Sequence, residues 1–138
     1  MEAVIRPKLV TFRAVRFHGE NPSPDGTQSW TLETKQTVEL AVGTSPPPLN
    51  GTQASVQIAL DATARSDDGQ AQPATFSASY EAVFAFPPGT TEAQVTPLMA
   101  EEPYQYGLVS QVFPLAMTLF RRELQTLGFD ARGLPLGI

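Results

Sequence analysis

Few side chains in this sequence are equipped for bond-making chemistry. His18 is the only histidine and cysteine is absent. A histidine base needs a nucleophile or a substrate proton within reach, and none flanks His18, which reads as a surface or structural residue. Without cysteine there is no disulfide framework, no thiol nucleophile and no thiolate metal site. Asp67-Asp68-Gly69 lacks the further oxygen ligands of a calcium loop and reads as a hairpin turn. Gly51, Gly69 and Gly89 are each accounted for by turns, so no phosphate-cradling loop is present. Glu101-Glu102 beside Pro103 reads as a solvated pair. No catalytic residue, metal ligand or cofactor is expected, and an enzyme is the weakest of the function classes.

Binding residues remain. The aromatic side chains Trp30, Phe84, Phe86, Tyr104 and Tyr106 fall near strand ends and in the segment that follows. They form either ordinary core or an open groove suited to apolar stretches of unfolded chains. The carboxylates of Glu33, Glu39, Asp61 and Glu81 share one set of positions with Lys35 and Arg65. They make either a solvated face or a docking surface for a basic partner.

The elements that must position these groups follow from periodicity. Trp30, Leu32, Val38, Leu40 and Val42 fall on even numbers, as do Val56, Ile58, Leu60, Ala62 and Ala64. The series Phe76, Ala78, Tyr80, Ala82, Phe84 and Phe86 has the same parity. Period two is the pleat of a strand with one dry and one wet face, an asymmetry that antiparallel sheets tolerate. A first strand over Leu9 to Phe17 is less regular, because its apolar residues occupy both faces. Gly19 to Ser29, with Asn-Pro, Ser-Pro and Asp-Gly pairs, is too long for a tight hairpin and suits a crossover. Strands over 30–42, 53–65 and from about Pro73 to Phe86 follow, parted by Pro46-Pro47-Pro48, Asn50-Gly51 and Asp67-Asp68-Gly69.

A short helical piece spans Thr91 to Met99, with Pro97 and Pro103 as breakers. The main helix runs from near Tyr106 to Leu127, with Gly128 as its natural terminator. Pro114 kinks this helix or opens a second segment. Leu108, Val109, Val112, Phe113, Leu115, Ala116, Leu119, Phe120, Leu124 and Leu127 cover more than half its circumference. Only Gln111, Thr118, Arg122 and Gln125 form a polar stripe. One sheet covers one helix face, so a copy of the same helix is the economical cover for the other. Val112, Leu115, Leu119 and Phe120 are the expected contacts in that oligomer.

The 138 residues carry a net charge of −5, which suits a single domain over 1–138 and opposes counterion-driven nucleic-acid binding. No apolar run reaches the length of a membrane span and no signal peptide is visible, so a cytoplasmic protein is expected.

In their order and spacing these features resemble SecB, the bacterial export chaperone. Tyr80-Glu81-Ala82-Val83-Phe84-Ala85-Phe86 is similar to the family's fourth strand, and Val112-Phe113-Pro114-Leu115-Ala116 to a stretch of its main helix. Gly128-Phe129 and Leu134-Pro135-Leu136-Gly137-Ile138 match its closing motifs, and Trp30 matches the single Trp after the crossover. Met117 and Asp130 replace an Arg and a Pro of the family pattern. The resemblance implies an α+β subunit, a four-stranded antiparallel sheet with a crossover after strand one and a long helix packed on one face. It implies a homotetramer built as a dimer of dimers, and ATP-independent holding of unfolded preproteins in apolar grooves with Trp30 at the groove mouth. SecA is the partner it implies for export. Longer members reach SecA through a tail beyond the main helix; this chain ends at Ile138, which leaves the acidic face for that contact. A SecB-like chaperone dedicated to a toxin–antitoxin pair, or an adaptor for one defined partner, fits the same residues.

Overall fold

The computed structural model describes residues 5–21, 30–44, 51–66, 73–129, 131 and 134. Four strands, β1 (Lys8–Gly19), β2 (Trp30–Thr44), β3 (Thr52–Ser66) and β4 (Ala74–Ala85), precede two helices, α1 (Glu92–Met99) and α2 (Glu102–Thr126). The strands form one antiparallel sheet in the order β1-β4-β3-β2. β1 and β2 therefore lie at opposite edges, as a crossover between them requires. The crossover residues 22–29, the proline run with Asn50, the Asp67-Asp68-Gly69 turn, Asp130 and residues 135–138 lie outside the described residues.

The parity argument holds where the sheet is central. Every even residue of β3 from Ala54 to Ala64 and of β4 from Ala74 to Phe84 is buried. Large and small residues face one another across this ladder: Phe84 lies opposite Ala54, Val56 opposite Ala82, Leu60 opposite Ala78 and Phe76 opposite Ala62. Such pairing keeps the dry face level enough for helices to close-pack on it. α2 packs on β3 and β4, and α1 on β2.

Irregularity in β1 has a physical cause. The register against β4 shifts between Leu9 and Thr11 and again between Ala14 and Arg16. Val10 and Val15 are the extra residues, each about half exposed, at 51% and 52%. Each bulge inserts one residue and so resets which parity points inward. The inward set becomes Leu9, Phe12, Ala14, Phe17 and Gly19, opposite Phe84, Ala82, Tyr80, Ala78 and Phe76. Phe12 stacks on Tyr80 with ring centroids 6.1 Å apart, and Phe17 meets Phe120 edge-on at 6.2 Å. A Cβ on Gly19 would collide with the Phe76 ring, so any larger residue there would force that ring to shift.

α1 opens with a capping box in which Gln94 N–H donates to Thr91 Oγ1 and Thr91 N–H to Gln94 Oε1. α2 starts earlier than the sequence suggests, at Glu102 rather than Tyr106. Pro103 begins the helix instead of breaking it, since the first helical positions need no N–H and suit its fixed φ. Pro114 lies within one continuous element. The end is a Schellman motif: Gly128 N–H donates to the Gln125 carbonyl at 3.0 Å and Phe129 N–H to that of Leu124 at 2.9 Å. Gly128 has φ +96°, which glycine adopts at no steric cost. Phe129, thus turned back, meets Phe76 edge-on at 5.0 Å.

Candidate functional site

Eight α2 residues are buried: Leu108, Val109, Val112, Phe113, Ala116, Met117, Phe120 and Leu124. The chain covers more of this helix than the sequence suggests, because residues beyond it fold back. Phe129 and Ala131 are buried, and the Ala131 carbonyl accepts from Arg121 Nε at 3.0 Å. Val112 and Phe120, expected at a contact between copies, are core residues of the subunit itself and present no surface. Leu115 is 40% exposed and Leu119 half-buried, one turn apart on the same flank. Tyr106 is 56% exposed. It stands nine residues from Leu115, hence on the opposite flank at about 100° per residue. Gln111, Thr118, Arg122 and Gln125 are all exposed, as the polar stripe requires.

The expected aromatic groove is redistributed. Phe84 is fully buried at the centre of the dry face and belongs to the core rather than to an open groove. Phe86 is nearly buried, its N–H donating to the Thr52 carbonyl at 3.1 Å. The side chain of Trp30, at the start of β2, lies outside what the structure describes. Tyr104 is half-buried and donates from its hydroxyl to the Ile5 carbonyl at 2.6 Å. This bond ties the lead-in to β1 against the first turn of α2. Burial pushes the Tyr104 phenol up, and the nearby Arg6 cation opposes that shift.

Between these two segments lies a hollow of about 320 Å³, lined by Arg6, Pro7, Glu101, Pro103, Tyr104, Gly107, Leu108 and Gln111. Its wall is mixed: Pro7, Pro103, Tyr104 and Leu108 are apolar or aromatic, Arg6 and Glu101 are charged, and Gln111 Nε2 donates to the Gly107 carbonyl at 3.1 Å. Gly107 keeps it open, since nothing lies within 4 Å of where its Cβ would stand. Of the expected groove residues only Tyr104 lines it. Phe86 instead edges a second, smaller hollow with Arg6, Lys8, Val10, Ala85 and Pro87. Sequence reasoning missed Arg6, Pro7, Gly107 and Gln111, which become neighbours only when the lead-in to β1 docks on α2.

The wet face of the sheet is not acidic. Glu33, Glu39, Asp61 and Glu81 do share it, but so do Lys8, Arg13, Arg16, Lys35 and Arg65. Lys35 lies directly opposite Asp61. Arg13 Nη2 reaches Glu81 Oε1 at 3.4 Å, and Gln57 Nε2 reaches Oε2 of the same carboxylate at 3.4 Å. Arg13 and Arg16 were hidden in the sequence by the bulges, which turn them to this side. A basic partner would meet mixed charge, not a negative field. His18 faces the same way, opposite Ser77 in the row that contains Asp61. Among the described residues no group of three histidine or acidic side chains could hold a metal ion. No helix there is long and apolar enough to cross a membrane.

No family model matches the chain, and no curated protein matches it. Among solved structures it is similar to a SecB-like chaperone of Mycobacterium tuberculosis, determined in complex with a ChAD peptide from the HigA1 antitoxin. The match covers 96% of this chain and 88% of that one, with a TM-score of 0.51 and 18% identity. Sheet order, the crossover between opposite edges and the long closing helix agree with that likeness, and the fold of this chain is SecB-like.

Proposed function

We propose that the chain is a SecB-like chaperone subunit that holds non-native polypeptide segments without nucleotide or cofactor. The observation that carries this reading is the open hollow of mixed apolar and polar lining at Tyr104, Gly107 and Leu108, on a fold whose Mycobacterium neighbour was solved with a peptide bound. An extended segment would lay an apolar side chain against Leu108 and Pro103, while Arg6 and Gln111 meet its polar groups. Trp30 starts β2 at the opposite edge and opposite end of the sheet from this hollow, so the groove mouth that the resemblance gives it would be a separate client contact. Phe86 edges the second hollow, which shares Arg6 with this one.

The working form is a homo-oligomer, a tetramer of paired dimers, in the cytoplasm. Leu115 and Leu119 form the seed of the contact between copies, and Tyr106 on the other flank stays free for a second contact. Two leucines cover far less than the roughly 800 Å² per partner of a stable interface, so flanking polar residues must join them. Repeated hollows around such an assembly grip one client at several places, and weak contacts combine through effective concentration.

A second reading is favoured by the antitoxin peptide in the neighbour's structure: a chaperone dedicated to one partner, such as an antitoxin. Breadth of clients separates the two. A general holdase suppresses aggregation of several unrelated denatured proteins, whereas a dedicated one protects a single partner and ignores the rest. Transfer to SecA belongs to the general reading, and its contact surface would have to tolerate the mixed charge of the wet face. Gly107→Met tests the site under either reading. It fills the hollow while replacing a helical glycine, so thermal stability should hold or rise, by about 1 kcal/mol from propensity. Client binding should weaken at least several-fold. Unchanged client affinity in a folded Gly107→Met protein would remove the hollow from the mechanism.

A further inference from the structure

α1 rests lightly on the sheet. Of its eight residues only Val95 is buried, with Leu98 and Met99 half-buried and the rest exposed. A helix that only seals a sheet end buries a whole stripe of its surface, which one valine does not supply. Eight residues are also too few for a helix to hold itself together in water. Pro97 lies inside it and cannot give the Ala93 carbonyl the bond that an N–H there would. Its entry is Pro87-Pro88-Gly89, with Gly89 at φ +86° and nothing within 4 Å of where its Cβ would stand. Its start is tied to the end of β2 by an exposed bond, Thr44 Oγ1 donating to Glu92 Oε1 at 2.7 Å. Its end is tied to α2, where Gln105 Nε2 donates to the Met99 carbonyl at 2.6 Å. α1 therefore runs from the β2 edge of the sheet to the rim of the Tyr104–Gly107 hollow, whose lining includes Glu101. Leu40 and Val42, on the dry face of β2, stay half-buried although α1 packs on that strand.

We propose that α1 is a lid. It lifts from the sheet as a unit, pivoting at Gly89 and Ala100, while the sheet and α2 stay folded. The surface uncovered beneath Val95 extends the Tyr104–Gly107 hollow to Leu40 and Val42, so a longer stretch of non-native polypeptide crosses this end of the sheet. The ease of such a local opening is set by the apolar contacts an element makes, here one valine and two half-buried side chains. Leu40 and Val42 lie two residues apart on one face, the repeat at which an extended segment presents its own apolar side chains. A second copy of the chain would instead have to fit a folded surface into a trough that exists only while α1 is raised. The occupant rests on the chaperone reading; the lid does not.

The chain has no cysteine, so Val95→Cys carries one thiol and reports opening by its rate of reaction with an aromatic disulfide reagent. Val112→Cys, on the buried face of α2, is the reference. Val95→Cys should react at least about tenfold faster, at a rate that low urea leaves unchanged, since a local opening exposes little surface. Hydrogen exchange of the wild-type chain reads the same motion without substitution: α1 amides should exchange at least about tenfold faster than those of Val109 to Phe120. Equal exchange overturns the lid, as does equal labelling in variants that melt like the wild type. Thr44→Cys with Glu92→Cys, joined by a bismaleimide, then holds α1 down. Binding of a fluorescent, permanently unfolded client, read by anisotropy, should fall several-fold on joining, while a peptide just long enough for the hollow binds as before. Equal client affinity before and after joining overturns the role of the uncovered surface. A fall in assembly mass as the sole effect of joining would make that surface a contact between copies and also overturn it. A wild-type chain that binds no client removes the chaperone reading and the occupant with it, while labelling and exchange still decide the lid.

Discussion

Gly19 and Gly107 are both glycines, yet the structure uses them in opposite ways. At Gly19 the missing Cβ makes room for the Phe76 ring, which lies directly across the ladder on β4. Gly19→Ala should therefore cost about 1–3 kcal/mol, the range for overpacking a close-packed site, measured by denaturant unfolding. At Gly107 no atom would resist the side chain, and the cost falls on the hollow instead of the fold. Tyr80 offers a different residue-scale test. Desolvation, with the Glu123 carboxylate adding to it, raises its phenol to about 12. The unfolded chain loses that proton near pH 10, so the folded state holds it longer. The resulting stabilisation is complete below pH 10 and disappears as pH climbs toward 12. Tyr80→Phe should flatten the fall in stability across that window. A slope identical to wild type would mean the phenol ionises as readily in the folded protein.

At the scale of elements, the two bulges of β1 carry the clearest prediction. Val15 is half exposed, so Val15→Ser should change stability by no more than about 0.5 kcal/mol. Inserting one residue between Phe12 and Arg13 should be far worse, because Phe12 would turn to the wet face and leave its stack on Tyr80. Thermal melts of the two variants, compared side by side, check this. The bulges also show which part of the fold could be read in the sequence. β2, β3 and β4 keep one parity throughout, and their pairing and inward faces follow directly from period two. β1 changes parity twice, so its inward set and the outward turn of Arg13 and Arg16 were not legible. The surplus apolar circumference of α2 was visible, but the wheel could not show how much of it the returning Phe129 and Ala131 would cover. Val112 and Phe120 were assigned outward, yet both are buried within the subunit, Phe120 edge-on against Phe17 of β1. The hollow was invisible too, since it depends on a 2.6 Å bond between residues 99 positions apart in sequence.

For the whole molecule, two apolar flanks of one helix remain uncovered and point in opposite directions, at Leu115 with Leu119 and at Tyr106. The first is proposed to join copies, and the hollow one to two turns before it to hold clients. Leu115→Asp should prevent assembly without unfolding the subunit, because a carboxylate is costly only where a partner would bury it. Phe120→Asp, by contrast, places that charge in the subunit's own core and should unfold the chain. Light scattering on a sizing column, run with a fluorescent, permanently unfolded client, reads assembly and holding together. The wild-type chain should elute as a multiple of the 14.9 kDa subunit with client in the same peak, and Leu115→Asp as a smaller species. A wild-type peak at 14.9 kDa, eluting apart from the client, would contradict both the shared helix surface and the chaperone reading.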